Sequence, residues 1–151
     1  MAWINNPKNF LLIMGSPGTG KTYICSALID WFYGKYFSIR VWTDSRLFKR
    51  LKSCINQDMG DAAEEAIYVT DDELVMLDDM GSDGMNEWHR NIWLSVIDNR
   101  YTLNYPTIIT TNYNEKDLKN YMGERCHSRL FSSENMIINL HGCGDLRQEG
   151  K

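Results

Sequence analysis

A short segment near the start of the chain combines glycines with a lysine and a threonine at a spacing that suits phosphate binding. Residues 15–22, GSPGTGKT, match the pattern GxxxxGK[ST] in full. The glycines permit backbone conformations that a side chain would forbid, so successive N–H groups can converge on phosphate oxygens at the positive end of the next helix. We predict that the whole loop binds a nucleotide's phosphates; a glycine-rich turn without a chemical role is the alternative. Its residues are Gly15, Ser16, Pro17, Gly18, Thr19, Gly20, Lys21 and Thr22.

Side chains of this loop and of a later apolar segment predict how such a nucleotide would be held. Lys21 would neutralise the outer phosphates, and the Thr22 hydroxyl would bind Mg²⁺. Residues 74–79, LVMLDD, have the pattern of a buried strand that brings two carboxylates to the edge of a sheet. We predict that Asp78 completes the Mg²⁺ site and that Asp79 is a catalytic residue that polarises the attacking water. A strand capped by a polar turn is the alternative interpretation.

Asn112 closes another apolar segment, residues 106–112, PTIITTN. In a parallel sheet this strand end would lie beside the carboxylates of residues 74–79. The amide of Asn112 is both donor and acceptor, so it can orient the attacking water or contact the γ-phosphate. We therefore include Asn112 among the predicted catalytic residues. The alternative interpretation is a turn residue at the end of a strand.

Five short apolar segments predict the strands that would position these residues. The predicted strands are residues 10–14, 39–43, 74–79, 106–112 and 135–140. Helical spacing predicts helices over residues 20–34, 43–55, 62–66, 85–103 and 115–131, the last with a break at Gly123. Helical spacing places Ile24, Ala27, Leu28 and Trp31 on one side of the first helix. The alternation predicts an α/β fold, an open and mostly parallel five-stranded sheet with helices on both faces, whose ligands bind beyond the carboxyl ends of the strands.

Length, charge and cysteine content restrict the class of protein. The 151 residues suffice for one domain with a single core. The net charge of −4 argues against wrapping duplex DNA through overall positive charge, so any contact with nucleic acid has to be local. The four cysteines lack metal or disulfide spacing and are expected to be reduced thiols. Since the sequence has neither a signal-peptide pattern nor an apolar run that could span a bilayer, the expected compartment is the cytoplasm.

Two arginines, Arg125 and Arg129, lie one helical turn apart in GERCHSRL, residues 123–130. A guanidinium supplies planar, permanently charged donors that suit the charge spreading over γ-phosphate oxygens in a transition state. Helix residues after the fourth strand are expected to point away from their own phosphate loop, so a second copy of the chain would be the recipient. The alternative is a solvated helix face in which the arginines pair with Glu124 or Glu115.

Five blocks of the sequence resemble, in the same order, those of the AAA+ ATPases of the DnaC/DnaI/IstB type. They are GSPGTGKT, LVMLDDMG, PTIITTN, GERCHSRL and HGCGDLR. The resemblance extends over nearly the whole chain and implies a P-loop NTPase with an AAA+ core. It implies that the first two blocks are the Walker A and Walker B elements and that Asn112 is the first sensor. By the same match Arg129 is a catalytic arginine finger for a neighbour's nucleotide, and Arg147 is a second sensor that contacts nucleotide; Arg125 has no implied role.

The resemblance also implies an activity. ATP and Mg²⁺ would be the cofactors, and the chain would form homo-oligomers through its ATP interface and hydrolyse ATP slowly when assembled. It would act in DNA replication as a helicase loader-like factor, with single-stranded DNA and a replicative helicase as partners; an IstB-like transposition helper is the alternative. We expect residues 1–151 to be the AAA+ domain, without the N-terminal partner-binding segment of the loaders and without a C-terminal lid domain.

The predicted helix over residues 43–55 interleaves basic and apolar side chains. The corresponding region of helicase loaders resembles a surface for single-stranded DNA, where basic residues could hold phosphates while Phe48 stacks on a base. Alternatively the apolar side chains face the core and the basic ones face water, which is the interpretation we favour. The basic residues are Arg46, Lys49, Arg50 and Lys52, and the apolar ones are Leu47, Phe48 and Leu51.

Two hypotheses come from other classes of protein. Phosphate loops also serve small-molecule kinases, although the Asp-Asp pair and the late arginine blocks fit hydrolysis better. Most AAA+ proteins follow the first Walker B aspartate with glutamate, whereas Asp79 is shorter by one methylene. A binding module that ATP switches without being hydrolysed is therefore the other hypothesis.

Overall fold

The computed structural model of the chain describes residues 2–36, 38–55, 62–82, 84 and 86–146. The strands are β1 Phe10–Met14, β2 Ile39–Thr43, β3 Leu74–Asp78, β4 Thr107–Thr111 and β5 Met136–Asn139. The helices are α1 Ala2–Asn5, α2 Lys21–Phe32, α3 Asp44–Ile55, α4 Ala62–Val69, α5 Glu87–Thr102 and α6 Glu115–Leu130. Within the described residues, no helix is long and apolar enough to cross a membrane.

The five strands form one sheet in the order β2-β3-β4-β1-β5, and all of its pairings are parallel. The predicted α/β fold is therefore confirmed. Met14 of β1 lies opposite Thr111 of β4, and Leu77 of β3 lies opposite Ile109 of β4. Because parallel strands point the same way, the carboxyl ends of β1, β3 and β4 meet at one edge of the sheet, where ligands of such folds bind.

Helices cover both faces of the sheet, because successive side chains of a strand point to opposite faces. Phe10, Leu12 and Met14 of β1 face a larger core that contains side chains of α3, α4, α5 and α6. Leu11 and Ile13 face a smaller core with α1 and α2. The residues of β1, β3 and β4 are all buried, as expected for strands that are covered on both faces. The short helix α1, which the sequence did not predict, closes the smaller core.

The buried face of α2 differs from the prediction. The spacing groups Ala27 and Trp31 with Leu28 on one apolar side, but Ala27 is exposed and Trp31 is 56% exposed, with Lys35 Nζ 4.0 Å from the centre of its ring. The buried residues are Lys21, Cys25, Leu28 and Phe32. These positions follow one another at helical steps of three and four residues, starting from the lysine. The helix thus turns Cys25, Leu28 and Phe32 into the smaller core and Lys21 toward the phosphate loop, which leaves Trp31 on the exposed side.

The helix ends agree with the predictions to within a few residues. Gly123 interrupts α6 at the predicted break, with φ 81° and ψ 168°, a conformation that favours glycine. α4 continues to Val69, beyond the predicted end at residue 66. α5 begins after Asn86, whose side chain accepts a hydrogen bond from the N–H of His89 and so caps the helix. The break in α6 separates its first part from the segment, residues 124–130, that carries both arginines.

Arg100 of α5 holds the amino ends of β3 and β4. Its side chain is fully buried and donates hydrogen bonds to the Thr107 hydroxyl and to the carbonyls of Thr70, Asp72 and Pro106. Burial lowers the pKa of Arg100 to about 10, so the guanidinium keeps its charge at neutral pH. The arginine therefore fixes these two strands at the end opposite the predicted site.

Replacing Arg100 by methionine is expected to lower the free energy of unfolding by about 3 kcal/mol, because buried carbonyl oxygens lose their donor. Urea denaturation followed by circular dichroism measures the change. Arg46→Met, at an exposed position of α3, is the matched control and should alter stability by less than about 0.5 kcal/mol. Equal stability of the two variants would contradict the role of Arg100.

Candidate nucleotide site

The predicted phosphate loop connects β1 to α2, which begins at Lys21. Gly18 and Gly20 have φ values of 86° and 87°, in the left-handed region that favours glycine. Thr19 ties the loop to itself, since its N–H and its hydroxyl both donate to the Ser16 carbonyl, at 3.4 and 2.9 Å. A glycine backbone at the amino end of a helix is a cradle for anions, so the residues present fit the phosphates of a nucleotide.

Lys21 connects the loop to the neighbouring strand end. The residue is only 5% exposed. Its Nζ donates hydrogen bonds to the carbonyls of Gly15, at 2.7 Å, and Ser16, at 3.0 Å, and to Asn112 Oδ1, at 2.8 Å. The structure therefore brings Lys21 and Asn112 together where β1 and β4 end. An ammonium in this place puts positive charge within reach of phosphates on the loop.

Asp78 and Asp79 are held by a threonine that sequence reasoning missed. Thr110 Oγ1 donates to Asp78 Oδ1 at 2.6 Å and accepts a hydrogen bond from the Asp79 N–H at 2.8 Å. The register that sets Ile109 opposite Leu77 brings Thr110 beside the Asp78 carboxylate and the Asp79 backbone. A signal existed in the sequence, because Thr110 is a hydroxyl residue at the end of an apolar strand predicted to lie next to the Asp-Asp strand.

Four of the predicted side chains share one cleft at this edge of the sheet. Asp79 begins the turn after β3 with φ 57°, a conformation that aspartate tolerates better than most residues. The cleft has a volume of about 420 Å³. Its described lining consists of Pro17, Gly18, Gly20, Lys21, Thr22, Tyr23, Asp79, Asn112 and Leu146. The predicted roles of Lys21, Thr22, Asp79 and Asn112 are thus geometrically compatible with one nucleotide.

The predicted Mg²⁺ ligands are Thr22, at the start of α2, and Asp78, at the end of β3. Thr22 lines the cleft, whereas Asp78 is 7% exposed and does not belong to the lining. In the described parts of the chain, no group of three or more His, Cys, Asp or Glu side chains could hold a metal ion. Mg²⁺ usually keeps water and phosphate oxygens and takes one or two protein ligands, so a hydroxyl and a carboxylate fit an ion carried by the nucleotide.

The segment after β5 lies over the phosphate loop. The N–H of Leu146 donates to the Gly18 carbonyl at 3.1 Å. A Cβ atom at Gly18 would meet the Asp145 carboxylate, so the segment approaches the loop closely at a position where φ already favours glycine. The predicted sensor Arg147 lies outside the described residues. Leu146 was not identified from the sequence as a residue of the cleft. Its position in the HGCGDLR block, directly before the predicted sensor Arg147, could have indicated it.

Arg125 and Arg129 lie away from this cleft. Among the described residues that line it, neither arginine is present. Both guanidinium groups instead contact Asp98 of α5, Arg129 through Nε and Arg125 through Nη2. The expectation that these helix residues point away from their own phosphate loop is consistent with this placement, and the role of Arg129 stays a prediction.

The acidic partners suggested as an alternative for the two arginines are wrong. Glu124 pairs with Lys119 at 2.9 Å, and Glu115 contacts His127 at 3.1 Å. Asp98 takes their place, and it comes from a different helix. Spacing along α6 predicts only contacts within that helix, so no signal in the sequence pointed to this aspartate.

The interleaved helix α3 is amphipathic, as we favoured. Leu47, Phe48 and Leu51 are buried, whereas the four basic residues are exposed. Phe48 is 1% exposed and packs against the rings of His89 and Trp93, with centroids 4.2 and 5.8 Å away. The hypothesis that Phe48 stacks on a base is therefore wrong, and any contact of α3 with single-stranded DNA would have to use its basic residues.

The cysteines whose side chains the structure describes are free thiols, as expected: Cys25, Cys126 and Cys143. Burial, reinforced by nearby Asp78, raises the pKa of Cys25 to about 12. Burial and then Asp98 raise the pKa of Cys126 to about 12 as well. Both buried thiols therefore stay protonated and unreactive at neutral pH.

Comparison with known proteins agrees with this geometry. Residues 1–128 match the sequence model of the family described as IstB-like ATP binding protein. The replicative helicase loader DnaC of Buchnera aphidicola subsp. Schizaphis graminum is 24% identical over 120 residues, which are 79% of this chain and 49% of that protein. The replicative helicase loader DnaI of Bacillus subtilis is 25% identical over 112 residues, 74% of this chain and 35% of that protein. The chain thus spans about half or less of these curated relatives.

A solved structure shares the fold. The crystal structure of the DnaC helicase loader superimposes with a TM-score of 0.77 at 26% identity and covers 91% of this chain and 84% of that chain. The predicted P-loop fold with an AAA+ core is therefore confirmed.

Proposed function

The chain belongs to the family of IstB-like ATP-binding proteins, and on this premise we propose that it is an AAA+ ATPase that assembles with copies of itself and acts as a helicase loader-like factor on single-stranded DNA. The observation that carries the proposal is the hydrogen bond from Lys21 Nζ to Asn112 Oδ1, 2.8 Å, in a cleft that Asp79 and Thr22 also line. These are the groups that hydrolysis of a nucleoside triphosphate requires at one place.

Each side chain has a task in hydrolysis. Lys21 exchanges the loop carbonyls for phosphate oxygens and neutralises their charge. Thr22 and Asp78 would hold Mg²⁺, which would supply positive charge to offset that of the terminal phosphates. Asp79 accepts the proton of the attacking water, and Asn112 orients that water. Since Asp79 is shorter than glutamate by one methylene, it reaches the water less well, and we expect slow turnover.

Arg129 would complete the site of a second protomer. The cleft lining that the structure describes contains no arginine, although phosphoryl transfer gains greatly from a guanidinium that stabilises charge on the γ-phosphate. Arg129 is 26% exposed in its side chain and lies outside its own cleft. A guanidinium so placed can reach the nucleotide of a neighbour, which makes turnover depend on assembly.

Replication and transposition are the two settings that the relatives suggest. The curated relatives reported above are helicase loaders, which favours a replicative helicase as the partner. The family model carries the name IstB-like, which keeps a transposition helper as the second candidate. In either setting the exposed basic residues of α3 offer a local surface for single-stranded DNA on a chain of net charge −4.

The test combines size-exclusion chromatography with light scattering, phosphate release and capture of a purified replicative helicase. Each is measured with ATP, with ADP as the control and without nucleotide, with and without a single-stranded oligonucleotide. We expect the molar mass of the protein to rise with ATP but not with ADP. We also expect phosphate to be released without an acceptor substrate and the helicase to be captured.

Other outcomes would contradict defined parts of the proposal. Failure to capture the helicase, together with capture of a purified transposase offered in a parallel experiment, would identify a transposition helper. Assembly with ATP that stays intact for hours in a single-turnover experiment would identify an ATP-switched binding module. A molar mass that is the same with ATP, with ADP and without nucleotide would contradict assembly.

A further inference from the structure

A single aspartate of α5, Asp98, holds both arginines of α6. We infer that Asp98 is a positioning residue that orients Arg129 toward the ATP of a neighbouring protomer, an inference that rests on the function proposed above. Its Oδ1 contacts Arg129 Nε, and its Oδ2 lies 2.5 Å from Arg125 Nη2. One carboxylate therefore ties two guanidinium groups that follow each other by one helical turn.

The contacts leave one end of the Arg129 guanidinium available. Nε forms an ion pair with the Asp98 carboxylate, and Nη1 donates a hydrogen bond to the carbonyl of Arg125 at 3.1 Å. Nη2 has no hydrogen-bond partner among the residues that the structure describes. An arginine has five N–H donors in a rigid planar fork, so fixing Nε and Nη1 also fixes the direction of the donors on Nη2. Asp98 therefore holds the guanidinium of Arg129 at Nε, while Nη2 can bind phosphate.

Arg129 needs such support because of the backbone around it. Gly123 breaks α6, so the segment with both arginines is a short helix whose orientation depends on packing against its neighbours. Below the arginines, Cys126 and Leu130 are fully buried. These apolar contacts fix the backbone of the segment, but they do not fix a long side chain with several rotatable bonds. The tie to Asp98, on the neighbouring helix, does so.

The burial of the cluster supports a tie that persists. The side chains of Asp98 and Arg129 are 20% and 26% exposed, whereas Arg125 is 65% exposed. An ion pair that is partly shielded from water is screened less by salt than an exposed pair. An arginine that is held before contact also loses less side-chain entropy when it meets the phosphate. Arg125, the more exposed of the two arginines, forms an ion pair with the second carboxylate oxygen of Asp98.

Mixed assemblies test this inference, because they separate the protomer that supplies the finger from the one that supplies the ATP site. The acceptor carries Arg129→Ala and keeps its own ATP site, and the donor carries Lys21→Ala and keeps its own finger. Each should be inactive alone, and the mixture should recover ATP turnover at acceptor sites that face a donor. Asp98→Ala is then added to the donor in one mixture and to the acceptor in another.

We expect Asp98→Ala to lower the recovered turnover roughly tenfold or more when it is in the donor and to change it less than twofold when it is in the acceptor. In the donor, the Arg129 guanidinium keeps its charge but is no longer oriented toward the neighbour's phosphate, so the rate falls. Donor Asp98→Asn, which keeps an acceptor oxygen, should give an intermediate rate. Donor Glu124→Ala is the matched control, since Glu124 pairs with Lys119 and not with the finger, and should leave the rate unchanged.

The possible failures are distinguishable. Equal loss in donor and acceptor would show a structural role for Asp98 and overturn the inference, as would an unchanged rate with donor Asp98→Ala. A donor rate that rises would show that Asp98 restrains the finger, which also overturns it. If the parent mixture recovers no turnover, the finger does not act between protomers, and the proposed function fails together with the inference.

Discussion

Replacing Lys21 by alanine is expected to lower ATP turnover by about 100-fold or more and to weaken ATP binding. The substitution removes the ammonium that lies between the phosphate loop and Asn112. Removal of one preorganised hydrogen-bond donor from an oxyanion hole costs about 2.7–4 kcal/mol of transition-state stabilisation, a factor of about 10² to 10³ in rate, and we expect a charged donor to contribute at least as much. Phosphate release and isothermal titration with ATP measure the two effects.

A readout that does not depend on hydrolysis accompanies this experiment. A ligand that binds only the folded state raises its stability, so ATP should raise the melting temperature of the wild type. Lys21→Ala should lose most of this rise while it keeps a cooperative thermal transition. The matched control is Lys35→Ala, which also removes one positive charge but lies beyond the end of α2, above the ring of Trp31.

Lys35→Ala should behave like the wild type in binding, in turnover and in the ATP-induced rise of the melting temperature. If Lys21→Ala retained all three, the lysine would be a structural residue that only joins strand ends, and the candidate site would be wrong. The thermal transition measured without ATP shows whether a variant is folded. A variant that has lost its fold is therefore distinguished from one that has lost only the ATP site.

Replacing Arg129 by alanine is expected to lower turnover in the assembled state by about 10³-fold, the smaller end of the range for arginine fingers. Binding of ATP to an isolated protomer should change little, because the cleft lining contains no arginine among its described residues. The effect should therefore appear in kcat and in the dependence on protein concentration. Turnover per protomer should rise with concentration for the wild type and stay low for the variant.

Two further variants give this measurement its controls. Arg46→Ala removes an exposed arginine from α3 and should keep the concentration dependence of the wild type in the absence of DNA. Arg125→Ala leaves the contact between Asp98 and Arg129 Nε and should lower turnover only severalfold. If Arg129→Ala showed the concentration dependence of the wild type, a finger acting between protomers would be contradicted.

Much of the fold could be predicted because the relevant forces act between residues that are close in sequence. The segment of residues 10–14 forms a strand with the predicted bounds, since a short apolar run bounded by polar turns has few other ways to bury itself. Residues 39–43 also form a strand with the predicted bounds, although none of them is fully buried. The break at Gly123 was predictable for the same local reason. Within the candidate site, the loop, the Asp-Asp pair and Asn112 were predictable because each lies at the carboxyl end of a strand or directly after it.

The errors and omissions share a different origin. Helical spacing groups Trp31 with the apolar side of α2, but Trp31 is exposed, because the helix turns Cys25, Leu28 and Phe32 into the smaller core and Lys21 toward the loop and β4. Thr110 holds Asp78 although they are 32 residues apart in sequence. Asp98 reaches Arg129 from another helix. In each case the deciding contact joins elements that only the packed sheet brings together.

By itself, the sequence determined that this chain forms a parallel α/β sheet with a phosphate loop, because backbone freedom at glycine and the burial of apolar runs are properties of short segments. It also determined which residue types stand at the strand ends. Only the tertiary structure decided which side chains meet: the strand order β2-β3-β4-β1-β5 brings Lys21 to Asn112, and the packing of α5 on α6 brings Asp98 to the two arginines. Register and helix packing are set by the whole core at once, so partners that are distant in sequence cannot be read from spacing along the chain.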